Sequence, residues 1–190
     1  MSGRSYCQIA FLISPLLALA ACTGVDTQIA GAGSGFPGTT VNSPTTSSPT
    51  QSTVTLDSEE SAFVTLINNY RVQNGLAALQ VSIALTQSSQ WMSADMASNN
   101  YLDHTDSLGR DPFTRMAAFG YDVETAGENI AAGNATAQDT FTQWEDSPAH
   151  NANMLGADYA VMGVGRAYSA SSTYGWYWTT DFGSVVDKTL

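Results

Sequence analysis

Two histidines and one glutamate carry most of the chemistry that this sequence offers. His104 lies in YLDHTD, Glu128 directly follows a glycine in GENIA, and His150 sits in SPAHNANML. Two neutral imidazoles and a carboxylate, with a water in the open position, make a donor set suited to zinc or a similar divalent ion. Such a water could serve as a nucleophile. The three residues come from distant segments rather than from a tight motif such as HExxH, so spacing alone supplies no ligand geometry. The competing reading is that they hydrogen-bond one another and the backbone and so fix the loops around a groove. Taken alone, His104 reads as a helix C-terminal cap or a core imidazole. Ser147, just before Pro148 and His150, invites a serine-nucleophile reading, but neither an orienting acid nor an oxyanion hole has a signature here. The serine is better explained as a helix cap. No GxSxG or P-loop is present, and no glycine-rich run follows a strand pattern and opens a helix as a dinucleotide fingerprint requires.

The elements that must position these residues are legible from caps and periodicity. Gly127 permits a backbone angle or a close approach that a side chain would forbid, which aims Glu128 inward rather than along a regular element. Thr136 caps a helix with Asp139 at its third position, and Phe141 and Trp144 follow at helical spacing, delivering Trp144 to the core. Ser147 and Pro148 open a short turn of helix with His150 and Met154 on one side. Upstream, Asp57 and Glu60 form a capping box, and Phe63, Leu66, Ile67 and Tyr70 continue a helix to Gly75. Asn69 and Arg71 on it read as solvated or packing residues. Ser82 caps a second helix through Asn99 with Leu85, Met92 and Met96 on one side, and methionines at that spacing are core filling. Asp111 and Pro112 start a third helix, stopped by Gly120.

Residues 159–169 and 173–184 read as two strands joined at Ala170-Ser171-Ser172. Met162, Val164, Arg166 and Tyr168 share a face of the first; Trp176, Trp178, Thr180 and Phe182 share a face of the second. Gly163 and Gly165 leave room for a helix to approach. Helices followed by an antiparallel meander with apolar faces on both sides give an α+β fold, a three-layer α-β-α sandwich with a central antiparallel sheet.

The chain has 190 residues, and its start is not fold material. Arg4 precedes an apolar run over residues 9–20, too short for a bilayer core of roughly 20 residues, and Leu19-Ala20-Ala21-Cys22 follows. Residues 1–21 therefore read as an export signal, and the Leu-Ala-Ala-Cys ending resembles a bacterial lipobox, which implies acylation of Cys22. The alternative is an ordinary secretory signal cut at an Ala-x-Ala-like site. Residues 22–56 are rich in Ser, Thr, Gly and Pro and read as a flexible tether spanning on the order of 30 Å. Residues 57–187 form one domain, with 188–190 as a tail. Both cysteines, Cys7 and Cys22, precede that domain, so its core alone must hold it. A formal net charge of −11 argues against nucleic acid and against docking on anionic lipid through the protein surface. Membrane attachment then rests on the acyl chains, and the protein is expected to be monomeric.

The ordered set of GENIA, a helix ending in tryptophan, SPAHNANML and an upstream histidine in YLDHTD resembles the CAP superfamily, also called the SCP or PR-1-like domain, most closely its bacterial branch. The resemblance covers about residues 57–187. It implies the same three-layer fold. Eukaryotic members place two histidines and two glutamates in a cleft that in several of them holds a divalent metal. By that resemblance His104 matches the first histidine and Glu128 the GEN glutamate, while His150 matches the bacterial motif. The position of the second carboxylate is Ser147 here; Glu145 and Asp146 lie close to it but elsewhere on the helix, and Glu145 is counted among the cleft residues without fixing which acid takes that place. Eukaryotic members are often disulfide-linked, and this chain departs from them there. The family's record makes a lipid-like or peptide-like ligand the expectation, bound in a groove around His104, Glu128, His150 and Glu145 by an envelope-anchored, extracytoplasmic module. The alternative is a metal-dependent, peptidase-like hydrolase using zinc or a similar ion on His104, Glu128 and His150. A third reading is a surface-interaction protein with a vestigial cleft.

Overall fold

Helix starts are set by side chains that accept from otherwise unpaired amides. The computed structural model describes residues 54–190 and the backbone of a strand at Gln8–Leu12. The rest of the expected export signal and tether, including Cys22, lies outside the described residues. The helices are α1 (Ser58–Gln73), α2 (Ile83–Asn99), α3 (Pro112–Ala118), α4 (Ala137–Glu145) and α5 (Pro148–Met154). Asp57 accepts from the amides of Glu59 and Glu60 while its own amide donates to the Glu60 carboxylate, completing the capping box at α1. Ser82, Asp111 and Thr136 each accept from an amide in the first turn of α2, α3 and α4. Ser147 occupies the cap position of α5 but makes no cap bond with its side chain. Its hydroxyl lies 2.9 Å from His150 Nδ1 instead, which corrects the reading of this serine as a simple cap.

The strands are β1 (Gln8–Leu12), β2 (Gln80–Val81), β3 (Ala126–Ala132), β4 (Val161–Tyr168) and β5 (Trp176–Gly183), in the sheet order β1-β3-β5-β4-β2. Neighbours are antiparallel apart from the short parallel pair of β2 with β4. The GENIA segment is therefore a regular strand, every residue of it buried, and not the irregular presentation expected of a residue after glycine. Gly127 serves by close approach: a Cβ there would lie 2.5 Å from the Tyr159 hydroxyl.

One face of the sheet is covered by α1, α4 and α5, the other by α2 and α3. On the first face Phe63 meets Trp144 edge-on at 5.0 Å and Trp178 at 5.1 Å, with Ile67, Met162, Val164 and Phe182 closing the cluster. Each such side chain contributes roughly 1.5–3 kcal/mol relative to exposure. Arg71 is buried as well, donating to the carbonyls of Ala77, Met154 and Gly156, so it ties α1 to the end of α5 in a packing role.

On the opposite face α2 rests its backbone directly on β4. A Cβ at Gly163 would lie 2.1 Å from the carbonyl carbon of Leu85, and one at Gly165 would lie 2.3 Å from the amide nitrogen of Gln90. Ser89 and Ser93 use that proximity to donate to the carbonyls of Gly163 and Gly165 at 3.1 and 2.9 Å. Small residues on both partners thus replace interdigitated side chains. Among the described residues no helix is long and apolar enough to cross a membrane.

Candidate functional site

Alternation along β3 decides where each candidate residue points. Ile130 and Ala132 pack with Met92 and Met96 of α2, so Glu128, two residues earlier, turns to the same side. Gly127, Asn129 and Ala131 turn to the layer that contains Trp144 and Met154.

Glu128 is fully buried on the α2–α3 side. One of its oxygens lies 2.5 Å from His104 Nδ1; the other accepts from the guanidinium of Arg115, which is itself buried on α3. Arg115 also donates to the His104 carbonyl at 3.2 Å, so one cation fixes both the carboxylate and the loop carrying the imidazole. His104 is 8% exposed, the most open member of the group. It follows α2, whose C-cap Asn100 adopts a left-handed conformation and turns the chain toward β3. Tyr101 and Ser107 both bond Asp95 of α2 and clamp that loop down.

A second buried carboxylate completes the cluster. Asp181 on β5 stands opposite Glu128 in the β3–β5 register and opposite Gly163 in the β4–β5 register. Burial raises its pKa well above 3.8; the nearby Glu128 charge adds to that, while Arg115 and the hydroxyls of Ser88 and Ser89 pull the other way. For Arg115, burial works against the charge but Glu128, Asp181 and Asp106 outweigh it, and its pKa is raised. Two acids around one guanidinium cannot both be neutralised by it, and Asp181 is the one driven toward its protonated form.

With the folded-state pKa raised, the contribution of Asp181 to stability is fully present below pH 3.8 and is lost as pH rises through the folded value. Asp181→Asn removes that loss. The variant is expected to match the parent near pH 4 and to exceed it increasingly toward about pH 7 in urea-midpoint measurements. An advantage that fails to grow with pH would show that Asp181 is not held as a neutral acid.

His150 is not part of this cluster. Its ring stacks on Trp144 at 5.6 Å with an interplanar angle of 11°, in the layer on the other side of the sheet, and its carbonyl accepts from Asn129. Asn153, one turn along α5, donates to the Glu128 carbonyl and to the Asn129 side chain. The bacterial motif SPAHNANML therefore braces the backbone of the glutamate strand from behind while Glu128 projects forward. Glu145, expected in the cleft, is exposed at the end of α4, where its carbonyl accepts from Asn151. The sheet thus brings together His104 and Glu128, and separates them from His150; Glu145 is not among the buried groups around them.

This arrangement does not suit a zinc-type centre. Among the described residues no group of three or more His, Cys, Asp or Glu side chains is placed to hold a metal ion. The Glu128 carboxylate, which the expected donor set requires, already faces a guanidinium. What the cluster can do is orient the His104 imidazole and fasten α3, the loop after α2 and β3 to one another.

Arg115 and Asp181 were not singled out in the sequence. Signals for both exist: a lone arginine in the apolar run FTRMAAF, and an aspartate in YWTTDFG, a strand with aromatic residues on one face and no solvent-facing pattern on the other. With 17 acidic residues against 6 basic ones, a buried acid in such a chain points to one of its few cations.

A helix–sheet–helix sandwich with a glutamate in its edge-proximal strand and a histidine on it defines the class. The model of the cysteine-rich secretory protein family, CAP, matches residues 64–182, and this chain belongs to that family. It is 35% identical over 148 residues to the uncharacterized protein YkwD of Bacillus subtilis, covering 76% of this chain and 56% of that one. It is 31% identical over 106 residues to the uncharacterized membrane protein YlbC of the same organism, covering 56% and 31% respectively. The chain thus spans about half, or less, of the length of these relatives. Among solved structures, an extracellular SCP-domain protein of Bacillus anthracis superposes with a TM-score of 0.60 at 24% identity, covering 67% of this chain and 40% of that one. An outer surface protein of Borrelia burgdorferi superposes with a TM-score of 0.62 at 19% identity, covering 69% and 97%. Both share the fold. The family's name does not describe this domain, since no cysteine follows Cys22.

Proposed function

We propose that this chain is an extracytoplasmic binding module of the bacterial envelope, tethered through acylated Cys22, whose ligand is lipid-like. The observation that carries the reading is a groove of about 490 Å³ between α1 and the start of α4, walled by Ala62, Leu66 and Ala137 with Thr65, Thr136 and Glu59 at its edges. The groove is open along the surface, and an apolar wall with a few polar groups at the rim suits an acyl chain laid along it with a polar head. The binding surface moves accordingly: the His104–Glu128 cluster is buried on the opposite face of the sheet, its carboxylate already engaged by Arg115, so it fastens the fold and does not receive the ligand. An extracellular and an outer-surface structure among the neighbours support the location.

A specific observation favours the peptide-like alternative as a second reading. Gln8–Leu12 pairs antiparallel with β3, Phe11 standing opposite Glu128, so this edge accepts an extended segment. The metal-dependent hydrolase draws less support, because Arg115 occupies the carboxylate it needs.

The test is titration of the 190-residue chain with a fluorescent long-chain fatty acid. Saturable binding is expected, and Ala62→Trp, which fills the groove from an exposed position, should weaken it about tenfold. Binding that is unchanged in Ala62→Trp but competed by an extended hydrophobic peptide would move the function to the β3 edge.

A further inference from the structure

The far end of the β4–β5 hairpin carries a second, chemically different pocket. It measures about 380 Å³ and is lined by Tyr168, Thr173, Tyr174 and Trp176 with backbone at Gly133 and Gly175. No Asp, Glu, Lys or Arg lines it, in a chain whose formal net charge is −11. The charged group behind its wall, Arg166, is already paired with Asp57, so the pocket presents no net charge to a ligand.

The aromatic groups are held in place from beneath. Tyr168 and Trp176 are register partners across the hairpin, their ring centroids 5.0 Å apart and tilted by 45°. The Arg166 guanidinium lies 4.4 Å from the Trp176 ring and is itself anchored by Asp57 at 2.7 Å and by the Ala135 carbonyl at 3.0 Å. Tyr168 packs beside Gly175, whose φ of +77° forms the turn and where a Cβ would lie 3.2 Å from the tyrosine ring. The connecting loop is tied as well: the Thr173 amide donates to the Asn100 side chain at 2.6 Å, and the Gly175 amide to the Ser172 hydroxyl at 3.2 Å. With these supports in place Tyr168 remains 58% exposed. A large aromatic ring that is fixed yet open to solvent is pre-organised for stacking, with little ordering left to do on binding.

We propose that this pocket is a carbohydrate subsite for a neutral glycan segment. A pyranose offers one face of C–H bonds for an aromatic platform and a rim of hydroxyls for polar partners, and Tyr168 and Trp176 beside Thr173, Tyr174 and turn backbone supply that combination. An acidic saccharide would meet only Arg166, behind Trp176 and already paired with Asp57, and a purely apolar ligand would leave the pocket's polar groups without partners.

The experiment titrates the 190-residue chain with chitotetraose and with cellotetraose, read by tryptophan fluorescence and calorimetry. Saturable binding of at least one of them is expected. Tyr168→Ala should weaken it about tenfold, and Tyr168→Phe, which keeps the ring, should stay within about twofold of the parent. Ala62→Trp, in the separate α1–α4 groove, should leave it unchanged. The proposal is overturned if neither oligosaccharide binds saturably up to about 10 mM, or if Tyr168→Ala binds as tightly as the parent while circular dichroism shows the same fold.

Discussion

Glu128→Ala is expected to lower the unfolding free energy by about 3 kcal/mol, because it takes from the buried Arg115 guanidinium its direct ion-pair partner and leaves only the more distant charges of Asp181 and Asp106. The same change deprives His104 of its contact at 2.5 Å, so the loop between α2 and α3 should lose protection from hydrogen exchange before the rest of the domain. Replacing both partners with apolar residues of similar volume, Glu128→Leu with Arg115→Met, should recover much of the loss, since the acid that remains, Asp181, is held in its neutral form by burial. Urea unfolding of the parent, both single variants and the double variant closes the cycle. A Glu128→Ala chain as stable as the parent would remove the structural role assigned to the cluster. This pattern also separates a fastening role from a ligand-binding one, because a residue kept for binding can be lost with little change in stability.

Gly163→Ala should cost about 3 kcal/mol, near the top of the usual range for overpacking. Its Cβ would fall 2.1 Å from the Leu85 carbonyl carbon and 2.2 Å from the Thr86 nitrogen, both in the backbone of α2, so no rotamer change relieves the clash. The helix must lift off the sheet, and the Ser89 bond to the Gly163 carbonyl goes with it. Gly127→Ala is the instructive comparison. Its nearest neighbours are the Tyr159 hydroxyl and the Asn153 side-chain oxygen, the far ends of side chains that can shift, so a smaller loss is expected from a similar distance. Thermal unfolding of the two variants side by side ranks them, and equal losses would mean that α2 is less rigidly seated than its backbone contacts imply.

The helices were legible because their signals are local. Asp57 with Glu60, Ser82, Asp111 with Pro112, and Thr136 with Asp139 each lie within three residues of the amides they satisfy or the turn they start, and Phe63, Met92 and Trp144 recur at helical spacing. The approach of α2 to Gly163 and Gly165 was also readable, since two alternate glycines in one strand have few other uses. Strand β3 was hidden. AGENIAA is buried on both faces and built from small and polar residues, so it shows neither alternation nor β-branched enrichment. That omission explains the misplaced partnership with His150: once residues 126–132 are a strand, Glu128 and Asn129 face opposite layers, and α5 docks on the asparagine. Ser147 looked like a cap by position, but its hydroxyl is drawn to an imidazole one turn away. Arg115 and Asp181 meet Glu128 only through long-range pairing, which no local window contains.

Because the sheet stands between the two layers, the domain is partitioned into compartments with few shared side chains. Substitutions around Trp144 and His150 and substitutions around Arg115 and Asp181 should combine almost independently, coupled mainly through the main chain that Asn153 grips. A lineage could therefore rebuild the layer of α1, α4 and α5, or replace the electrostatic lock under α2 and α3, without disturbing the other half.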